Sequence, residues 1–164
     1  MFQARKYAQD CLHNSGKKGS KSIMSTSPVP PGEPIFVDEK VLKHPPSSFP
    51  EPEKGNATWH TLLSAPTTLS TSLSAGIAVC PANGCLALHR HQQAEMYYIL
   101  SGTGEVEVDG KRQRVGEKMM VWIPGNAEHG VFCGDGEQLR WLYVFPEGRF
   151  EDVVYRFTCP LEQV

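Results

Sequence analysis

Residues 88–102 read LHRHQQAEMYYILSG, and within this apolar run stand His89, His91, Glu95 and Tyr97. In an extended strand, side chains i and i+2 share a face. His89 and His91 therefore point the same way. Glu95, Tyr97 and Ile99 join that face if the chain stays extended or turns between adjacent strands. A lone strand histidine is usually satisfied or exposed, and a lone glutamate is usually solvated. Together, in apolar surroundings and at this spacing, they read as ligands. Imidazole and carboxylate groups with open positions left between them suit a divalent metal such as Fe, Mn, Ni or Zn. Downstream, IPGNAEHGVF at 123–132 puts Pro124 and Gly125 at a turn and His129 at the start of the next strand. A histidine returning there completes a set of three histidines and one glutamate.

The elements that must carry these residues are short strands. From Thr58 onward, runs rich in β-branched and aromatic residues alternate with Gly, Pro, Asn and Asp: TWHTLL, SLSAGIAV, CLALHRH, MYYILSG, GEVEV, RQRV, KMMVWIP, HGVFC, LRWLYVF and VVYRF. Asp109-Gly110 is a hairpin signal between EVEV and KRQRV, and Pro81 with Asn83-Gly84 marks another turn. A short helix near PEGRFEDV has no periodicity behind it. Strands at this spacing, without a clear helix between them, predict an all-β sandwich or barrel. Residues 1–34 are rich in Ser, Lys, Gly and Pro and are expected to be a disordered extension. Residues 35–57, with their prolines, are expected to drape over the domain as an extended arm, and 58–164 to form the barrel domain.

The ligand pattern resembles that of the cupins. Their first motif, a glycine, a short apolar strand, H-x-H, a spacer, E and a later glycine, is matched by Gly84, His89-Arg90-His91, Glu95 and Gly102. Their second is approached by Gly116, Pro124, Gly125 and His129. The resemblance covers roughly residues 70–157. It implies a small jelly-roll barrel of two antiparallel sheets holding one divalent metal ion inside an open end, with iron or manganese favoured and nickel or zinc also accepted. Its ligands would be His89, His91, Glu95 and His129. Inward parity then assigns Tyr97, Val106, Val108, Val121, Trp141, Tyr143, Tyr155 and Phe157 to the cavity wall. The resemblance also implies a homodimer packed through an outer sheet face carrying Tyr98, Leu100, Trp122, Leu142 and Val154.

A narrower resemblance concerns reaction. H-x-H-x3-E-x-Y followed by His129 is similar to the cupin lyases that cleave dimethylsulfoniopropionate, in which the metal holds the substrate carboxylate and a tyrosine takes the α proton. It implies a small-molecule carboxylate substrate and β-elimination to acrylate and dimethyl sulfide. Tyr97 would be the base, with Tyr155 or Tyr143 the second tyrosine, and Trp141 and Tyr143 in the substrate pocket. An iron-dependent dioxygenase with the same ligands, and a metal-binding accessory cupin without turnover, are the alternatives.

Composition limits the remaining classes. The chain has 164 residues, 40% of them hydrophobic, and a formal net charge of −2, which suits one domain with a core plus a tail. Lys+Arg of 16 against Asp+Glu of 18 leaves no global basic field for nucleic acid. No apolar run approaches the roughly 20 residues that cross a bilayer, so no membrane partner is expected. The five cysteines are odd in number, contain no CxxC, and read as reduced thiols of a cytoplasmic protein. A basic, acid-poor beginning leaves an organelle transit peptide as the other localisation, with Met24 as an alternative start.

Overall fold

A computed structural model describes residues 34–41, 44–68 and 70–158. The expectation of a disordered extension over 1–34 falls, except for Pro34, outside the described residues. Among the described residues there are ten strands, and every pairing between them is antiparallel. No α-helix occurs among the described residues. The protein is all-β.

The strands are β1 (Ser47–Ser48), β2 (Thr58–Leu63), β3 (Ser74–Cys80), β4 (Cys85–Arg90), β5 (Glu95–Val108), β6 (Lys111–Gly116), β7 (Met120–Ile123), β8 (His129–Phe132), β9 (Leu139–Phe145) and β10 (Arg156–Phe157). The order along the curled sheet is β1-β2-β3-β9-β5-β8-β4-β10, with β6 and β7 also paired to β5. Strand β5 joins the two halves. Its first part pairs with β7 and β9, and its second part pairs with β6 and β8. The switch occurs where the register slips between Ile99 and Ser101. Gly102 follows at φ +80°, where an added Cβ would lie 1.7 Å from the Gln138 carbonyl oxygen. A bulge adds one residue and bends the strand. Burial therefore falls on odd positions before it (Glu95, Tyr97, Ile99) and on even ones after it (Gly104, Val106).

Two-residue periodicity builds the rest. In β9, Leu139, Trp141, Tyr143 and Phe145 are buried while Arg140, Leu142 and Val144 are half-buried between them. Asp109 (φ 46°) and Gly110 (φ 74°) make the hairpin between Val108 and Lys111 with both φ values positive, as a type I′ turn demands. The PEGRFEDV segment holds a single 3₁₀ turn, Phe150–Asp152. Of VVYRF, only Arg156–Phe157 pairs as strand. The segment before β2 is tied down at two points. Ser47 and Ser48 pair with Trp59 and Thr58, and the Asn56 and Ala57 N–H groups both donate to the Cys85 carbonyl. Cys80, Cys85 and Cys133 are free thiols.

Candidate metal centre and cavity

The three histidines arrive from two strand ends and one turn. His89 is the penultimate residue of β4, His91 is the first residue beyond that strand, and His129 opens β8 directly opposite His89 in the ladder. The turn that delivers His129 has Asn126 at φ 64° and an Ala127 N–H donating to the Pro124 carbonyl at 3.1 Å. Glu95 is the first residue of β5. All four side chains are buried, at 0–2% exposure.

Hydrogen bonding fixes how they face one another. The Nδ1 atoms of His89, His91 and His129 lie 2.8, 2.9 and 2.9 Å from the carbonyl oxygens of Ala87, Gln93 and Ala127. A carbonyl only accepts, so each Nδ1 carries a proton and donates it. In a neutral ring the lone pair is then on Nε2. The Nε2 atoms of His91 and His129 approach Glu95 Oε2 at 3.3 and 3.2 Å, and His89 Nε2 is buried without a partner. Lone pairs and a carboxylate oxygen pointing at one spot require a proton or a cation between them. The candidate ligand atoms of the three histidines lie within 4.8 Å of one another. Metal-bound histidines donate their other ring nitrogen to a backbone carbonyl in this way. The donor set therefore fits a divalent ion.

The electrostatics agree. Burial pushes His89 down to about 3, with His129 beside it adding to the effect, so this ring is a neutral donor. Burial alone would raise the Glu95 carboxyl. The His129 and His91 rings outweigh that and hold it below the usual carboxylate range. Burial raises the Tyr97 phenol well above its usual value, and the Glu95 and Tyr155 side chains raise it further. Tyr155 is raised well above its usual value by burial first, then by Glu95.

Beside the cluster lies a cavity whose empty volume, open solvent included, is about 330 Å³. Tyr97, Trp141, Tyr143 and Tyr155 all line it, as does Glu95. Tyr155 stacks on His89, with centroids 4.8 Å apart and planes 25° apart. Tyr97 packs between Trp141 at 5.4 Å and His129 at 6.4 Å. The Tyr143 hydroxyl is bonded to Thr61 Oγ1 at 2.8 Å. It owes its place to Gly76, where a Cβ would lie 2.3 Å from the Tyr143 oxygen. Of the other residues assigned inward, Val106 is buried, while Val108, Val121 and Phe157 are half-buried against the core. Phe49, Trp59 and Phe150 also line the cavity, and sequence parity did not reach them. Phe49 and Phe150 lie outside any strand. Trp59 sits in β2, whose residues are all half-buried and so carry no alternation.

Comparison with known proteins places this geometry. A cupin domain family matches residues 78–145. Dimethylsulfoniopropionate lyase DddW of Ruegeria pomeroyi is 35% identical over 129 residues, covering 79% of this chain and 83% of that protein. The chain belongs to the cupins. Among solved structures, the polyketide cyclase RemF of Streptomyces resistomycificus superposes with a TM-score of 0.66 at 23% identity, over 78% of this chain and 87% of that one. The dimethylsulfoniopropionate lyase DddQ of Ruegeria pomeroyi gives 0.51 at 26% identity, over 56% of this cupin and 46% of that chain. The matched family segment begins in β3 and ends with β9. It contains His89, His91, Glu95 and His129 but leaves out Phe49, Trp59, Phe150 and Tyr155. Among the described residues, no helix of this cupin is long and apolar enough to cross a membrane.

Proposed function

We propose that this cupin is a metal-dependent lyase that cleaves dimethylsulfoniopropionate by β-elimination, giving acrylate and dimethyl sulfide. The observation that carries the reading is a buried cluster of three histidines and Glu95 next to a small aromatic cavity lined by Glu95 and Tyr97. The similarity to a lyase named for that substrate supports it. His89, His91, Glu95 and His129 would hold the ion. When bound, the ion supplies positive charge to neutralise a substrate carboxylate and to lower the barrier to proton loss beside it.

The remaining chemistry belongs to the chain. Tyr97, held against Trp141 and His129, would take the proton from the carbon next to the carboxylate. The C–H electron pair becomes the new carbon–carbon double bond. The carbon–sulfur bond breaks, and its electrons leave with dimethyl sulfide. Burial first, and then Glu95, raise the Tyr97 phenol, and a cation held by the four side chains would act in the opposite direction. Tyr143 is tied to Thr61 and is better suited to shaping the wall than to moving a proton.

The test is removal and return of metal. Chelated protein should release no dimethyl sulfide, and readdition of iron or manganese should restore release in wild type but not in His129→Ala. Full activity of the chelated protein would overturn the reading. We also propose a homodimer. Tyr98 (38%), Met120 (65%) and Trp122 (64%) are exposed on the outer side of paired strands β5 and β7, which suits burial by a second copy.

A further inference from the structure

Four of the aromatic rings that line the cavity form a closed circuit. Phe49 lies 4.9 Å from Trp59 by ring centroids, Trp59 lies 6.3 Å from Phe150, Phe150 lies 6.4 Å from Tyr155, and Tyr155 lies 5.3 Å from Phe49. All four line the cavity, and they come from four separate parts of the chain. Phe49 is carried in by the segment before β2. Across residues 44–50 it is half-buried while every other residue is exposed, so its ring is the one side chain that segment turns inward. The only charged residue among those lining the cavity is Glu95, which sits with the metal ligands. Lys54 lies outside the lining, with its ammonium 5.6 Å from the Phe49 centroid.

A ligand whose carboxylate is held at the ligand cluster would place its far end inside this circuit. An anionic far end finds no cationic partner in the lining, and the nearby Lys54 ammonium is already paired with Glu51 at 3.0 Å. A neutral alkyl end gains only apolar burial. An alkylated onium group gains that burial and also the attraction of several ring faces to its spread positive charge. We propose that Phe49, Trp59, Phe150 and Tyr155 form an aromatic collar that selects carboxylates ending in an alkylated onium group, and that Phe49 is the specificity-determining residue supplied from outside the barrel strands. The collar rests on the lyase reading for the orientation of the carboxylate.

The experiment compares two unreactive carboxylates of nearly the same shape, 3-(trimethylammonio)propionate and its uncharged carbon counterpart 4,4-dimethylpentanoate. Their binding to metal-loaded protein is followed by calorimetry and by tryptophan fluorescence, which Trp59 should report. Apolar burial alone favours the uncharged compound. The collar predicts the reverse in wild type, a preference for the onium of about 5- to 30-fold. Phe49→Leu keeps apolar bulk but removes the ring, and should lower the preference several-fold with metal content unchanged. Phe49→Trp should keep it. A wild-type preference for the uncharged compound, or an undiminished onium preference in Phe49→Leu, overturns the proposal. Onium preference without dimethylsulfoniopropionate cleavage would sink the lyase and leave the collar standing. Cleavage with a Phe49-independent preference would do the opposite.

Discussion

Replacing Tyr97 by phenylalanine removes one oxygen from a side chain that is 1% exposed. The ring keeps its contacts with Trp141 at 5.4 Å and His129 at 6.4 Å, so packing density is preserved. The phenol neighbours the Glu95 carboxylate, so the variant also removes a polar neighbour of one candidate ligand. Loss of that buried hydroxyl should change stability by about 1–2 kcal/mol, a shift of roughly 2–10 °C in melting temperature. The effect on rate should be far larger. A positioned general base contributes about 10²–10⁴-fold, equivalent to about 2.7–5.4 kcal/mol of activation free energy. The assay is headspace dimethyl sulfide from metal-loaded protein, with metal content and melting temperature measured on the same samples. Tyr97→Phe should lose about that factor in kcat while metal content stays at the wild-type level. Turnover within a few-fold of wild type would refute Tyr97 as the base, and Tyr155→Phe then becomes the decisive variant. Loss of metal along with activity would instead show that the phenol supports the ligand cluster.

Metal should stabilise the fold directly, because the donors converge only in the native state. At about 100 times its dissociation constant the ion should add about 2.7 kcal/mol, read as a rise in melting temperature that His89→Ala abolishes. Gly76→Ala should displace Tyr143 and break its bond to Thr61, since the new Cβ would meet both the Tyr143 oxygen and the His60 carbonyl at 2.3 Å. The expected cost is about 1–3 kcal/mol by denaturant titration, with metal retained. Trp122→Glu places a charge on the exposed outer face and should convert a dimer to a monomer in sedimentation velocity, with little change in the melting temperature of the isolated domain.

The pairing of His89 with His91 and the strand pattern were legible in the sequence for a shared reason: both obey the period of two. His89 near the end of β4 and His91 just beyond it follow it, and the LRWLYVF alternation maps onto β9 residue by residue. His129 was reachable because a Pro-Gly turn precedes it. Strand β5 was harder. MYYILSG and GEVEV read as two runs because the bulge after Ile99 moves the buried face from odd to even positions, yet they form one strand of 14 residues. The collar was not legible. Phe49 stands alone among serines and prolines, where no periodicity assigns it a face, and Phe150 sits in a 3₁₀ turn too short to have one. Their positions follow from tertiary packing around Tyr155. The closeness of Gly76 to Tyr143 likewise follows from the register of β3 with β9, which aligns those two residues directly.

The central claim, elimination at a metal-loaded cupin site, is tested most directly by incubating iron- or manganese-loaded protein with dimethylsulfoniopropionate under strict exclusion of oxygen. Acrylate and dimethyl sulfide are counted together. Elimination consumes neither oxygen nor any other reactant, so the account predicts both products in a 1:1 ratio at the aerobic rate. Absence of both products from fully loaded protein, or their appearance only when oxygen is admitted, would contradict it.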